Sequence, residues 1–179
     1  MAGMTALQGL RDYGGVRPGH KVLIVGASGG VGTFAVQVAR LLGAEVSAVC
    51  STGNVDTVRS LGADHVIDYT QEDFTQNGQR YDVIFAVNGF RSIWDYRRAL
   101  AAKGIYLMAG GDWPQIRQAL YKNLVYVGEL LEEGKLTPAI ERRYPLSAVP
   151  DAMRYYEQRH ARGKIIINAD PSASPSIAG

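Results

Sequence analysis

The sequence holds one cysteine in 179 residues, Cys50. A single thiol excludes an internal disulfide and a cysteine-rich zinc site, and it suits a reducing cytosol. Histidine is scarce too. His20, His65 and His160 stand far apart, at no metal-ligand spacing and in no grouping with Asp or Glu, so no metal site is expected. No apolar run approaches the length of a bilayer span, and no signal-like apolar segment follows Met1. A preponderance of one charge is also missing. The 19 basic and 17 acidic residues are mixed along the chain and leave a net +2, which speaks against nucleic acid or an anionic membrane as partner. The chain is expected to be soluble and cytoplasmic, and long enough for one domain that buries about 70% of its unfolded surface.

Glycine, in contrast, is plentiful, with 21 residues. Its densest group follows the apolar run Val22, Leu23, Ile24, Val25 and reads Gly26, Ala27, Ser28, Gly29, Gly30, Val31, Gly32. A helical pattern over 33–42 starts at once. A strand that feeds a helix through such a turn aims the first N–H groups of the helix, which lack intrahelical partners, at one point above the sheet edge. That point attracts phosphate, and the expected ligand is a dinucleotide pyrophosphate. Gly29 is read as the position where backbone approaches the pyrophosphate, and Gly32 as the position where helix packs closely on strand. Ala27 stands where the strict fingerprint has its first glycine.

The alternation continues downstream. Strands are predicted at 45–49, 65–69, 81–87 and 105–109, with helices over 54–61 and 93–101. Asn54 reads as an N-cap and Gly62 as a terminator, Thr70 as the cap of a helical turn reaching Phe74, and Ser92 with Asp95 as a capping box. Lys103-Gly104 reads as a turn into the fifth strand. Asp112 and Pro114 then open a long helical pattern carried by Ile116, Leu120, Leu124, Val127 and Leu131, as one helix or as two meeting at Gly128. Ser147 is read as the cap of a last helix over 149–159, followed by a strand over 164–168. The fold class is therefore α/β, a doubly wound parallel sheet of Rossmann type in three αβα layers. It is expected over residues 1–168, with 169–179 a disordered tail.

Coenzyme choice is set after the second strand, where an acid would bind the ribose 2′-OH and repel a 2′-phosphate. This chain has Ser51, Thr52 and Asn54 there and no acid, so NADPH is favoured, with NADH the alternative. The competing reading makes these three residues turn and cap formers only. Val87, Asn88 and Gly89, with Gly110 and Gly111, follow the fourth and fifth strands and should lie in the crevice at the carboxyl edge of the sheet. Cys50 has no helix N-terminus or cation beside it and reads as a small buried residue rather than a nucleophile.

Gly-Ala-Ser-Gly-Gly-Val-Gly at 26–32, the stretch from Ser60 to Tyr69, Arg143-Tyr144-Pro145-Leu146 and His160-Ala161-Arg162-Gly163-Lys164 together resemble the zinc-independent, quinone-oxidoreductase-like branch of the medium-chain dehydrogenase/reductase superfamily. The resemblance implies hydride transfer from a nicotinamide to a small quinone, enone or carbonyl substrate. It also places Tyr69 beside the adenine and the nicotinamide against the loops at 87–89 and 110–111. No catalytic acid or base is assigned. Family members carry an amino-terminal catalytic domain, which the resemblance, starting near the junction at Thr5-Ala6-Leu7, implies is not part of this sequence. They also carry a few tens of extra residues between Gln115 and Glu129, where a sixth strand and dimer contacts usually lie, so a homodimer is left open. Two other functions compete: a dinucleotide-binding module that needs a partner domain, and a methyltransferase-like domain for S-adenosylmethionine, which the Gly-Gly-Val-Gly continuation disfavours.

Overall fold

A computed structural model describes residues 1–88, 91–109, 116–158 and 162–169, with 116–122 in backbone only. The chain opens with α1 (Ala2–Leu7), which widens into a π-helical turn over Gln8–Tyr13. β1 (Lys21–Val25), α2 (Gly32–Leu41), β2 (Glu45–Cys50), α3 (Val55–Ser60), β3 (His65–Asp68) and β4 (Tyr81–Ala86) follow. Next come α4 (Ile93–Ala99), β5 (Leu100–Met108), α5 (Ile116–Glu132), β6 (Ile140–Pro145), α6 (Val149–Glu157) and β7 (Lys164–Asn168). The first five strands form one parallel sheet in the order β3-β2-β1-β4-β5, and β6 pairs with β7 in a separate parallel pair. The doubly wound α/β sheet predicted from the alternation is present.

Period-two alternation explains why β1 is apolar throughout. Val22 and Ile24 enter the core under α1, α2 and α5, while Leu23 and Val25 enter the opposite core with Phe74, Tyr81 and Tyr96. A strand buried on both faces cannot alternate polar and apolar residues. α2 meets the first core with Phe34, Ala35, Val36, Val38 and Ala39. Its one buried amide, Gln37, donates to the Thr137 carbonyl at 2.9 Å and accepts from the Thr137 N–H at 2.7 Å. That exchange, with the buried Leu136 next door, ties the connection before β6 to α2.

Several local expectations change. β5 begins at Leu100 rather than after Lys103-Gly104, and its register against β4 breaks between Tyr81 and Val83. Gly104 belongs to this irregularity, because a Cβ there would stand 2.8 Å from the Tyr81 carbonyl; glycine inside a strand marks such close approaches. Thr70 caps no helix. Its N–H and hydroxyl both donate to Asp68 Oδ1, closing a turn. Asn54 precedes α3 without a capping bond, its amide donating instead to Ser51 Oγ. Ser147 lies in a short 3-10 turn and does not cap α6, whereas Pro150 sits in its first turn as expected.

α5 is a single 17-residue helix. Gly128 lies inside it with no atom within 4 Å of a Cβ placed there, so the absent side chain leaves solvent rather than a hole. Its inner face is Asn123, Val127 and Leu130; Leu124 and Leu131, assigned to the apolar stripe by spacing, are 56% and 38% exposed. Two elements escaped the sequence reading, α1 with its π turn, and β6. Asp112, Pro114, Arg159, His160 and residues 170–179 of the expected tail lie outside the described residues. The Ser92–Asp95 capping box forms as predicted.

Ile24 is fully buried in the central strand. Ile24→Ala should lower the unfolding free energy by about 2–5 kcal/mol, read as a falling urea midpoint. An unchanged midpoint would remove β1 from the core.

Candidate coenzyme site

The turn after β1 is held from two sides. The N–H groups of Gly26 and Ala27 both donate to the Val49 carbonyl of β2, at 3.1 and 3.0 Å. From the other side, the N–H groups of Val87 and Asn88 donate to the Val25 carbonyl at 2.9 and 3.3 Å. Parallel strand order thus gathers the loops after β1, β2 and β4 at one edge. Gly26 turns left-handed there (φ 82°), and a Cβ on it would stand 2.9 Å from Asn88 Cβ. Ala27 is buried in the core, so the alanine at the first fingerprint position is a packing residue.

The two assigned glycines behave differently. A Cβ on Gly32 would overlap the Gly26 carbonyl and come within 2.8 Å of Ala27 backbone, so glycine alone lets α2 close on the turn. A Cβ on Gly29 would meet only the Gly26 carbonyl, at 3.4 Å. Protein leaves the space above Gly29 open. Among the described residues the amides of Gly30, Val31 and Gly32 have no acceptor. An open cradle, free amides and a helix N-terminus fit a pyrophosphate.

Ser51, Thr52 and Asn54 line the loop after β2, but they bond largely to one another and to the next loop. Ser51 Oγ accepts from Asn54, leaving its own hydroxyl proton free, while Asn54 Oδ1 is buried without a partner. Thr52 Oγ1 and Thr70 Oγ1 lie 2.9 Å apart. The Thr52 hydroxyl, followed by the hydroxyl and N–H of Thr70, holds the Asp68 carboxyl below its ordinary range. Turn-forming thus accounts for much of this loop, and Ser51 is its free donor. Cys50, 1% exposed, ends β2, where burial and then the neighbouring Asp68 charge push its thiol up to about 11. It stays protonated at neutral pH.

Below the turn a cavity of about 480 Å³ opens between the sheet edge and α4, lined by Val25, Gly26, Val49, Tyr69, Phe74 and Arg91 among others. Tyr69 is 52% exposed. Arg91 lies over the Phe74 ring, 5.5 Å from its centroid, and pairs with Asp73 at 2.8 Å. A cavity lined by Val25, Val49 and Phe74 with Arg91, Ser92 and Asp95 beside them offers the apolar surface and few polar groups that suit a heteroaromatic base. Another cavity, about 530 Å³, lies at the opposite, amino edge of the sheet. There Glu45 already meets Lys21 and His65, at 3.9 and 3.3 Å, and no glycine cradle accompanies it.

The structure therefore brings together 26–32, 51–54, Tyr69, Val87 and Asn88; Gly89, Gly110 and Gly111 lie outside the described residues. It also adds two residues that the sequence reading named only within a family-like segment and gave no role in the site. The lead into β7 carries the Lys164 ammonium against Gly30 and Arg162 Nη2 to 3.1 Å from where a Cβ of Gly53 would stand. Over 100 residues separate each pair, so no local pattern announces them.

A family model described as "Zinc-binding dehydrogenase" matches residues 30–135, and a second with the same description matches 115–167. The chain belongs to the medium-chain dehydrogenase/reductase superfamily. It is 33% identical to a chloroplast envelope quinone oxidoreductase homolog of Arabidopsis thaliana, over 93% of this chain and 59% of that one. It is also 33% identical to the chloroplastic NADPH-dependent alkenal/one oxidoreductase of Arabidopsis thaliana, over 86% of this chain and 42% of the relative. The solved quinone oxidoreductase from Coxiella burnetii matches with a TM-score of 0.75 at 27% identity, over 95% of this chain and 59% of that one. This dehydrogenase/reductase chain thus spans about half the length of the curated relatives it matches. The first match runs over 199 residues while taking in 93% of these 179. The relative therefore holds a few tens of residues more within the matched stretch.

Two outcomes test the cradle. Gly29→Val should weaken dinucleotide binding at least about tenfold, or about 1.4 kcal/mol, with the thermal midpoint preserved, whereas Gly32→Val should lower that midpoint itself. Equal effects of the two would show the turn to be purely structural. Cys50 should resist iodoacetamide at neutral pH in the folded chain and react once unfolded. Its native thiol holds its proton up to about 11 against an ordinary 9.0, so stability should fall as pH rises through that window.

Proposed function

We propose that this chain carries the coenzyme half of an NADPH-dependent oxidoreductase of quinone or enone reductase type. It would transfer hydride from the nicotinamide to an electron-poor carbonyl or conjugated alkene, without zinc and in the cytosol. The observation that carries the reading is the open cradle over Gly29, flanked by unpaired amides, with an apolar slot beside it. The bound nicotinamide supplies the hydride; the protein binds, orients and excludes water. The amides of Gly30, Val31 and Gly32 would hold the pyrophosphate, and Tyr69 would flank the adenine in the slot. Val87 and Asn88, with Gly89, Gly110 and Gly111, would wall the nicotinamide side. Ser51 and an acid-free loop favour the 2′-phosphate. Relatives named for quinone and for alkenal/one substrates support the substrate class.

One observation favours a second reading, a coenzyme-binding module without turnover of its own. The chain spans 59% of the quinone oxidoreductase homolog and 42% of the alkenal/one oxidoreductase. Both readings require NADPH binding.

Titration with NADPH, NADH and S-adenosylmethionine, followed by fluorescence, is expected to show NADPH binding tightest. Binding of S-adenosylmethionine alone would overturn the coenzyme reading. Steady-state NADPH oxidation with 1,2-naphthoquinone or an enone then decides between the two. Turnover selects the oxidoreductase reading, and binding without turnover selects the module.

A further inference from the structure

The surface of α4 divides sharply. Tyr96 and Ala99 are buried in the second core, where the Tyr96 ring meets Phe74 and Tyr106 at centroid distances of 5.9 and 4.9 Å. The other side of the helix is open. Trp94 is 65% exposed and Ile93 56%, and among the described residues only the terminal Met1 is a more exposed large apolar side chain than Trp94. Arg97 and Arg98 are exposed as well. Residues three and four apart share a helix face, so Trp94, Arg97 and Arg98 form one stripe with Ile93 at its border. The Arg97 guanidinium lies over the Trp94 ring, 5.8 Å from its centroid.

Two more cations join the stripe at its carboxyl end. α4 passes into β5 without an intervening residue, and Leu100 pairs with Tyr81. Arg80 therefore stands beside the end of α4. Lys103 arrives there too, because Gly104 packs against the Tyr81 carbonyl and the Leu100 side chain. Both cations are exposed. Arg40, Arg59, Arg91 and Arg154 each hold a carboxylate. Arg80, Arg97, Arg98 and Lys103 hold none among the described residues. The acids nearby are engaged elsewhere: Asp95 with Ser92, Asp82 with the Lys21 N–H, and Asp73 with Arg91. The net charge of +2 speaks against an anionic membrane for the chain as a whole, and it conceals this local excess.

We propose that this face, with Ile93 and Trp94 amid Arg80, Arg97, Arg98 and Lys103, is a peripheral docking surface for membranes rich in anionic lipid. In water the two apolar side chains stay hydrated and the four unpaired cations repel one another. An anionic bilayer relieves both. The indole enters the headgroup layer, where an apolar ring with a polar N–H is favoured, and the guanidinium groups grip lipid phosphate with paired donors. α4 has seven residues, so the contact reaches only the interfacial layer. Neither cavity described above includes any of the six residues, and a face without a groove suits a bilayer better than a peptide. The surface stands apart from the glycine cradle and does not depend on the coenzyme reading.

The test is sedimentation of the full chain with vesicles of phosphatidylcholine alone and of phosphatidylcholine mixed equally with phosphatidylglycerol. Binding is expected to the mixed vesicles only, and it should fall as salt is raised. Replacing Arg97→Gln and Arg98→Gln together should weaken partitioning about tenfold or more, since each arginine near an anionic surface contributes about fivefold. Trp94→Ala should weaken it too, while the preference for anionic lipid remains. All three side chains are exposed, so the variants should keep the parent thermal midpoint. A Trp113→Phe chain retains Trp94 as its sole tryptophan, and its emission should shift to the blue on binding. That shift and the arginine variants still decide the matter if Trp94→Ala unfolds. No binding to the mixed vesicles, equal binding to both kinds, full binding by the double arginine variant, or an unshifted Trp94 emission overturns the inference. Retention on immobilised polyglutamate without vesicle binding overturns it as well, and gives the face to an acidic protein partner.

Discussion

The contact between the Gly26 carbonyl and the first residue of α2 sets the rest of the molecule in place. No side chain fits at Gly32, so the helix starts directly on the turn and runs back along β1 with its apolar face down. This closeness has two consequences. It buries Ala27, Phe34 and Val38 in one core with Val22 and Ile24, and apolar area removed from water is the main stabilising term. It also leaves the N–H groups at the helix start facing the sheet edge without acceptors. Stability and the ability to hold an anion therefore share one structural cause.

Strand order carries that edge further. With β2 on one side of β1 and β4 on the other, the Val49 and Val25 carbonyls accept the amides that begin the neighbouring loops. The loops cannot drift apart without breaking sheet hydrogen bonds. At the end of β3, the next strand out, Asp68 has a related role. Its carboxyl is occupied by Thr52 and Thr70, which keeps this acid engaged with its own turn. The same bonds join Thr52 of the loop after β2 to the end of β3.

The elements of this fold legible in the sequence are those whose cause is local. Short apolar runs announced β1, β2 and β4, the glycine cluster announced the cradle, and Ser92 with Asp95 announced the start of α4. Boundaries failed where a distant partner decides. β5 starts early because Leu100 and Gly104 fit around the Tyr81 backbone, a constraint that no pattern within the segment carries. β6, with Glu, Arg and Arg in its middle, lacks the apolar alternation of a sheet core and exists because β7 pairs with it. Leu124 and Leu131 kept helical spacing yet face outward, since α1 and the Arg11–Asn123 contact at 2.6 Å set the rotation of α5. Cations over the cradle were invisible for the same reason, being joined to it only through folding of the whole chain.

That last point bears on how the site is assembled. The cradle and the loop after β2 arise from the first half of the chain, and on their own they offer neutral donors. Positive charge arrives from the last described strand, whose position depends on Gln37 in α2 holding Thr137 and on Leu136 entering the core. Gln37 lies on the helix whose start forms the cradle, so the element that offers amides to the pyrophosphate also anchors the segment that brings Lys164 to it. A coenzyme bound between them would touch both ends of this linkage. Its binding energy would then stabilise the docking of β6 and β7 on α2, because a ligand that prefers the docked state shifts the equilibrium toward it.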